Sequence, residues 1–384
     1  MAVYFEQKNW EPFLYKRLNQ LIEEFKSNDV VDMKDRSYVV FDFDNTSVIG
    51  DIEDNLMVYM MDHLLYRLSP ADFRRILISE DFDMNTVLNE RYPQATPLNL
   101  ANDIVYYYET LYDLYSKDQK DREALLTDEN YLAFKSKLRF YYTHVNSQFN
   151  RQPARPWLTY WFQGYTAAEL QALTIDMLKE MTQKQTERMT YTTPASHAGE
   201  AGIVESQFIS GLKAPEELKD LYKAFQEKNI IPYIVSASPV DVVVQASQYF
   251  FQVDRQYVRG MNYQFDEHNK IVARMNEDSP ITKKDGKTET ILTTIANIHN
   301  GQQPIALFGD SMGDYHMMTE LKEVKVNVLF NCLNQDKTVS LKAIASNQYN
   351  DDQATYLIQG RDENTLSLIP STHSRLLNQT DLKY

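Results

Sequence analysis

Four short apolar runs set the terms for any fold of this chain: Tyr38 to Phe43, Ile230 to Val235, Pro304 to Phe308 and Val326 to Phe330. Each is too short for a helix and rich in Val, Ile, Phe or Tyr, the pattern of a strand buried on both faces. Between the second, third and fourth lie stretches long enough for crossover helices, including Glu289 to Ile298 and Tyr315 to Leu321. Strands joined in this way assemble in parallel, so the fold class is α/β with a doubly wound parallel sheet.

The stretch from Asp51 to Ser206 follows a different rule. Its long helical patterns, Ile52 to Leu68, Ala101 to Tyr115 and Ala167 to Thr182, predict helices, and strand signals are few. Inserted between the first and second strands, residues 51–206 are expected to form a helical cap domain over the carboxyl edge of a core built from residues 1–50 and 207–384. At 384 residues the chain exceeds what one compact core usually holds, which suits this division. Gly211 and Pro215 lead back into the core, Pro215 suiting the first position of a helix over Glu216 to Glu227. A helix over Val240 to Phe250 and a hairpin of Tyr257 to Phe265 with Ile271 to Met275 follow. Near the amino terminus, Trp10, Phe13, Leu14, Leu18, Leu21, Ile22 and Phe25 mark one face of an amphipathic helix.

The net charge of -15 disfavours nucleic acid as a partner, because neutralising its phosphates takes clustered Lys and Arg that the sequence lacks. A small anionic substrate stays open, since local cations and a metal override the global field inside a cleft. Cys332 is the only cysteine, so no intrachain disulfide and no cysteine-based metal site can form, and it reads as a small core residue. No export signal is visible and no apolar run approaches the roughly 18 residues that span a bilayer. A soluble, cytoplasmic protein with no membrane partner is expected.

The polar groups converge. The first strand ends in Asp42, Asp44 and Thr46, the second at Ser236, and the third in Gly309-Asp310-Ser311-Met312-Gly313-Asp314. In open parallel sheets the ligand crevice lies just beyond the carboxyl ends of the strands, where all these groups fall. One carboxylate can attack phosphorus while its neighbour gives a proton to the leaving oxygen and later takes one from water. Crowded carboxylates repel unless a hard cation is shared among them, and an all-oxygen site suits magnesium. A dianionic phosphate needs positive charge and donors, which Lys287, Thr46 and Ser236 can supply. Lys287 follows Gly286 at the start of a predicted helix, whose amino terminus adds backbone donors and a favourable dipole.

In order and type these residues match the four signature motifs of the haloacid dehalogenase superfamily, and the chain resembles its phosphatases with a helical cap between the first and second motifs. The resemblance covers Arg36 to Asp51 and Gly211 to Asn331. It implies a Rossmann-like core, Asp42 as the nucleophile that forms an aspartyl-phosphate, and Asp44 as general acid and then base. It further implies that Thr46, Ser236 and Lys287 hold the phosphoryl group. Asp42, the Asp44 carbonyl and Asp310 would bind Mg2+, with Asp314 ligating or orienting its waters. An acid at position 44 points away from dehalogenases and ion pumps and toward hydrolysis of a small phosphate monoester. The run Phe41 to Ser47, followed by Gly50-Asp51-Ile52-Glu53, resembles the phosphoserine and phosphorylcholine phosphatase branch. Transfer of the phosphoryl group to a second acceptor, and silent binding of a phosphorylated ligand, are the alternative readings.

Several residues admit a plainer role. Asp51, Glu53 and Asp54 open a predicted helix, where acids favour the dipole in any case; Asp51, first after Gly50, is the candidate substrate contact. Trp157 and Trp161 could cage a quaternary ammonium group or simply fill the cap's core. Lys283 and Lys284 compete with Lys287, and His316 beside Asp314 reads as packing.

Overall fold

The protein is described here from a computed structural model, which covers residues 2–27, 32–78, 80, 82–115, 122–149, 160–333, 339–349 and 351–384. Helix α1 (Pro12–Phe25) and strand β1 (Tyr38–Phe41) come first. Then follow α2 (Ile52–His63), α3 (Pro70–Leu77), α4 (Pro97–Tyr115), α5 (Arg122–Thr127), α6 (Glu129–Gln148) and α7 (Ala167–Met181), with strands β2 (Arg188–Thr192) and β3 (Glu205–Ile209). The remainder alternates: α8 (Glu216–Glu227), β4 (Ile231–Pro239), α9 (Val240–Phe251), β5 (Val258–Met261), β6 (Tyr263–Phe265), β7 (Ile271–Met275), α10 (Asp285–Thr290) and β8 (Ala306–Gly309). Last come α11 (Tyr315–Glu320), β9 (Val326–Phe330), α12 (Val339–Gln348), β10 (Tyr356–Asp362) and the short strands β11 (Ser367–Ile369), β12 (Ser374–Arg375) and β13 (Leu382–Lys383).

The main sheet runs β13-β12-β10-β9-β8-β1-β4-β5, with β11 beside β10. All pairs from β5 to β12 are parallel, and only β11 and β13 join antiparallel. β1 thus lies between β4 and β8, where the strand order reverses and a crevice opens at the carboxyl edge. Alternation along β1 serves both faces. Val39 and Phe41 enter one hydrophobic layer, where the Phe41 ring stacks on Phe308 and Tyr222 at 3.9 and 4.3 Å between centroids. Tyr38 and Val40 enter the other, with Tyr233, Ile291 and Met317.

Four expectations are corrected. Val258–Met261 joins the main sheet beside β4, so only β6 and β7 form the hairpin. The first helix after β1 stops at His63 rather than Leu68, because Leu64 takes a left-handed conformation and closes it with its own N–H. Pro215 caps α8 from outside instead of opening it. The expected helix over Glu289 to Ile298 is the end of α10 followed by a π turn over Ile291–Ile295 and a 3-10 turn over Ala296–His299.

The chain leaves the sheet region for α2 at Gly50 and returns at Gly211, and the two passages run side by side through an antiparallel bridge of Ile49 with Lys213. Both glycines hold positive φ, +101° and +104°, and a Cβ on Gly50 would sit 2.6 Å from the Gly211 carbonyl oxygen. Among the described residues no helix is long and apolar enough to cross a membrane. Gly50→Ala should therefore lower the melting temperature, by the equivalent of about 1–3 kcal/mol for a strained backbone, as read by differential scanning calorimetry.

Candidate active site

Beyond Phe41 the chain stays in register for one more residue, the Asp42 N–H donating to Phe308 O at 2.9 Å, and then turns. Three N–H groups, from Thr46, Ser47 and Val48, converge on the Phe43 carbonyl, and the buried Phe43 ring anchors the turn. Ser47 Oγ donates to Asp42 O at 2.7 Å. Asn45 adopts φ 57°, which Asn tolerates better than most side chains. At the end of β8, Gly309 leaves the only room Asp314 has, since a Cβ there would lie 2.6 Å from the Asp314 carboxylate. Asp314 Oδ2 then accepts from the N–H groups of Asp310 and Ser311 at 3.0 and 3.3 Å, folding the acidic turn onto itself.

These two turns bring Asp42, Asp310 and Asp314 together, buried, with carboxylate oxygens all within 4.8 Å of one another. Lys287, 2% exposed on the first turn of α10, reaches between them, its Nζ 2.7 Å from Asp42 Oδ1 and 2.7 Å from Asp314 Oδ1. Burial alone would lower the lysine's pKa, but the Asp314 and Asp42 carboxylates more than offset this and hold it above its ordinary value. Burial, reinforced by Asp314, pushes Asp42 up to about 6 against the pull of Lys287. Burial, then Asp314 and Asp42, drives Asp310 well above the usual carboxylate range. One lysine thus leaves the cluster short of positive charge, and its donors are all oxygen; the residues fit a hard divalent cation.

The Asp44 side chain stands apart from that cluster. Its Oδ1 accepts from Ile52 N–H at 2.6 Å, and its Oδ2 from Ser238 Oγ at 2.6 Å, with Ser236 Oγ more distant at 3.5 Å. Burial raises its pKa to about 7, although both short hydrogen bonds favour the ionised form. Thr46 Oγ1 is buried and has no hydrogen-bond partner among the described residues. Two carboxyl groups two residues apart therefore have different surroundings: one held by a cation, one by neutral donors.

On the helical side, Asp51 caps α2 by accepting from Asp54 N–H at 2.9 Å, and burial and Asp44 raise its pKa well above the usual range. Glu53 lies across from Ser238 Oγ at 3.5 Å and accepts from Tyr142 Oη at 2.9 Å; burial and Asp51 push it up to about 8. Asp54 forms a bidentate pair with Arg139 at 2.8 and 2.9 Å. Trp157 lies outside the described residues. Trp161 is fully buried among Tyr66, Phe73 and Tyr142, so it fills the aromatic core one ring behind the Tyr142–Glu53 contact and does not reach the carboxylates. Cys332, expected in the core, is instead half-buried, with its Sγ 3.4 Å from Asp310 Oδ2. His316 pairs with Glu320 and stays outside the cluster. Sequence reasoning passed over Ser238, Tyr142 and Arg361. Ser238, two residues past Ser236 at the same strand end, carried a usable signal; the others come from distant elements and carried none.

No family model and no curated protein matches this chain. Among solved structures, a conserved protein of unknown function from Anaerococcus prevotii DSM 20548 is 25% identical over 99% of this chain and 100% of its own, with a TM-score of 0.88, so the two share one fold from end to end. A protein of unknown function from Bordetella pertussis Tohama I overlaps 82% of this chain and 96% of its own at 11% identity and a TM-score of 0.42. A phosphoserine phosphatase solved as a phospho-aspartyl intermediate analogue overlaps 77% of this chain and 87% of its own at 12% identity and 0.32. Overlaps as shallow as the last two bear on no chemistry. The fold and site by themselves define an α/β protein with a buried acidic cluster at the switch point of a parallel sheet.

A raised carboxyl pKa means that the folded state keeps protons the unfolded chain releases, so stability falls as pH climbs through the window between the two values. For Glu53 that window runs from the ordinary 4.5 to about 8, and Asp42 and Asp44 add to it from 3.8 to about 6 and about 7. In chelator, the melting temperature should fall between pH 5 and pH 8, and Glu53→Gln should flatten that fall. Titration with Mg2+ at pH 7.5 should raise the melting temperature of the wild type, and Asp310→Asn should abolish most of that rise.

Proposed function

We propose that this chain is a magnesium-dependent phosphatase of the haloacid dehalogenase type, acting on a small phosphorylated metabolite through an aspartyl-phosphate. The observation that carries this reading is the division of labour between Asp42, clamped by Lys287, and Asp44, held apart by Ser238 and Ile52. On this reading residues 51–206 form the cap, and residues 1–50 and 207–384 the core.

The steps follow from the side chains. Lys287 and the Phe43 N–H occupy Asp42 Oδ1, so attack on phosphorus falls to Oδ2. As the new O–P bond forms, the bond from phosphorus to the leaving oxygen breaks, and Asp44 delivers a proton to that oxygen. Asp44, now ionised, takes a proton from water; the resulting hydroxide adds to phosphorus, releases phosphate and restores the Asp42 carboxylate. The Thr46 hydroxyl, unpartnered among the described residues, and Ser236 would donate to the phosphoryl oxygens. Mg2+ held by Asp42, Asp310, Asp314 and the Asp44 carbonyl would neutralise charge on the phosphate. Glu53 and Asp51 stand near Asp44 at the start of α2, Glu53 3.5 Å from the Ser238 hydroxyl, and these acid groups support a substrate bearing a cationic group, such as phosphoserine or phosphorylcholine. Burial of Trp161 weighs against an aromatic cage built on that ring and favours a protonated amine paired with a carboxylate.

The test is phosphate release from p-nitrophenyl phosphate and from a panel of phosphorylated amines and amino acids, with Mg2+ and with chelator. Asp42→Asn should abolish turnover, and Asp44→Asn should cost about 10²–10⁴ in kcat for an alkyl ester, as expected for loss of a general acid. Full activity in Asp42→Asn would sink the mechanism. Turnover seen only when a second alcohol is supplied would identify a phosphotransferase instead.

A further inference from the structure

We propose that Arg361 is a positioning residue for the turn that carries the reacting groups, a role that rests on the phosphatase reading above. Arg361 lies in β10, near the far end of the chain, and is 4% exposed. Its guanidinium faces Asn45, Nη1 donating to the Asn45 carbonyl oxygen at 2.8 Å and Nη2 to Asn45 Oδ1 at 3.1 Å. Its third edge, Nε, is held by Glu363. The backbone behind it is fixed as well, with Arg361 N–H donating to Ser374 Oγ at 2.9 Å and Glu363 N–H to Arg375 O at 2.9 Å.

Asn45 stands between Asp44 and Thr46 in a left-handed conformation, its own N–H donating to Gly50 O at 3.0 Å. Arg361 thereby fixes the carbonyl of the peptide that joins Asn45 to Thr46 and the Asn45 side chain at once. That peptide matters because Thr46 Oγ1 has no hydrogen-bond partner among the described residues, so no hydrogen bond of its own holds it and its aim depends on where the backbone and packing place it. The same turn sets the direction in which Asp44 leaves the strand. Two donors from one planar group resist rotation of the turn in a way that a single contact cannot.

Lysine keeps the charge and can still pair with Glu363, but offers one donor point where arginine offers a fork. Asn45→Gly keeps the left-handed turn and the carbonyl while removing Oδ1. The experiment measures kcat and KM for p-nitrophenyl phosphate in Mg2+ for wild type, Arg361→Lys, Asn45→Gly and the double variant of the full chain, with melting temperatures alongside. Arg361→Lys should melt near the wild-type temperature, lose about 10- to 100-fold in kcat, and change KM by less than about threefold, since misplacement of reacting groups by an ångström costs that much. The double variant should lose no more than Arg361→Lys alone, because both act through the same turn. A wild-type kcat in Arg361→Lys overturns the proposal, as do losses that multiply in the double variant or that only follow a drop in melting temperature. Stabilisation by beryllium fluoride with Mg2+, present in wild type and absent in Asp42→Asn, tests the underlying chemistry separately. If the wild type shows neither turnover nor that stabilisation, the phosphatase reading fails and the role of Arg361 falls with it; if it shows both and Arg361→Lys is unimpaired, the positioning role alone is wrong.

Discussion

The ion triad of Lys287 with Asp42 and Asp314 is the interaction on which the rest of the site depends. Three buried carboxyl groups, one oxygen of each within 4.8 Å of the others, repel one another in a protein interior, and Lys287 is the cation that meets two of them. Removing one partner of such a pair typically costs about 3–5 kcal/mol, because the remaining charge is left buried and unmatched. The backbone is shaped around this contact. Gly286 precedes Lys287 where the Ile281 carbonyl leaves no room for a Cβ, and Gly309 yields its side-chain space to Asp314. Strand order does the rest, because β1 and β8 are neighbours and their acidic turns emerge side by side.

Around that centre the structure separates charges that the sequence places almost in contact. Asp42 and Asp44 are two residues apart, yet one faces Lys287 and the other faces Ser238 and the start of α2. The separation is a property of the turn: the extended pattern would project both side chains to one face, and the converging N–H groups on Phe43 O, followed by the left-handed Asn45, turn the second away. A nucleophile and a proton donor, the roles proposed for this pair, need unlike environments, and the unlike environments of these two carboxyl groups are produced by backbone conformation rather than by distance along the chain.

The strands and the acidic turns were legible because their signals are local. An apolar run of four residues followed by Asp-Phe-Asp-Asn-Thr, or a Gly-Asp start and Gly-Asp finish around two residues, announces itself without knowledge of its neighbours. The C-terminal strands were not read at all. β10 contains Gln359, Arg361 and Asp362, polar residues whose burial makes sense only once Glu11 and Ile369 meet the first, Asn45 and Glu363 the second and Arg375 the third. Cys332 failed for the converse reason, since a lone thiol carries no signal of its surroundings and tertiary packing alone sets it beside Asp310; for Trp161 the same packing chose, of the two readings the sequence left open, the one that fills the interior. The β2–β3 pair was missed because Arg188–Thr192 is half exposed and carries no apolar run.

Asp44 shows how the two parts of the chain are joined chemically as well as covalently. Its Oδ2 is held by Ser238 from β4, and its Oδ1 by the Ile52 N–H that opens α2, the first helix after the Gly50 passage. The same helix start carries Asp51 and Glu53, and Glu53 is tied through Tyr142 to α6. The carboxyl group assigned to proton transfer therefore takes one hydrogen bond from the sheet and one from the helical segment. Its ionisation depends on both donors being in place, since each short donor bond favours the anion while burial opposes it. Gly50 and Gly211, pressed together where the passages cross, fix the distance over which that balance holds.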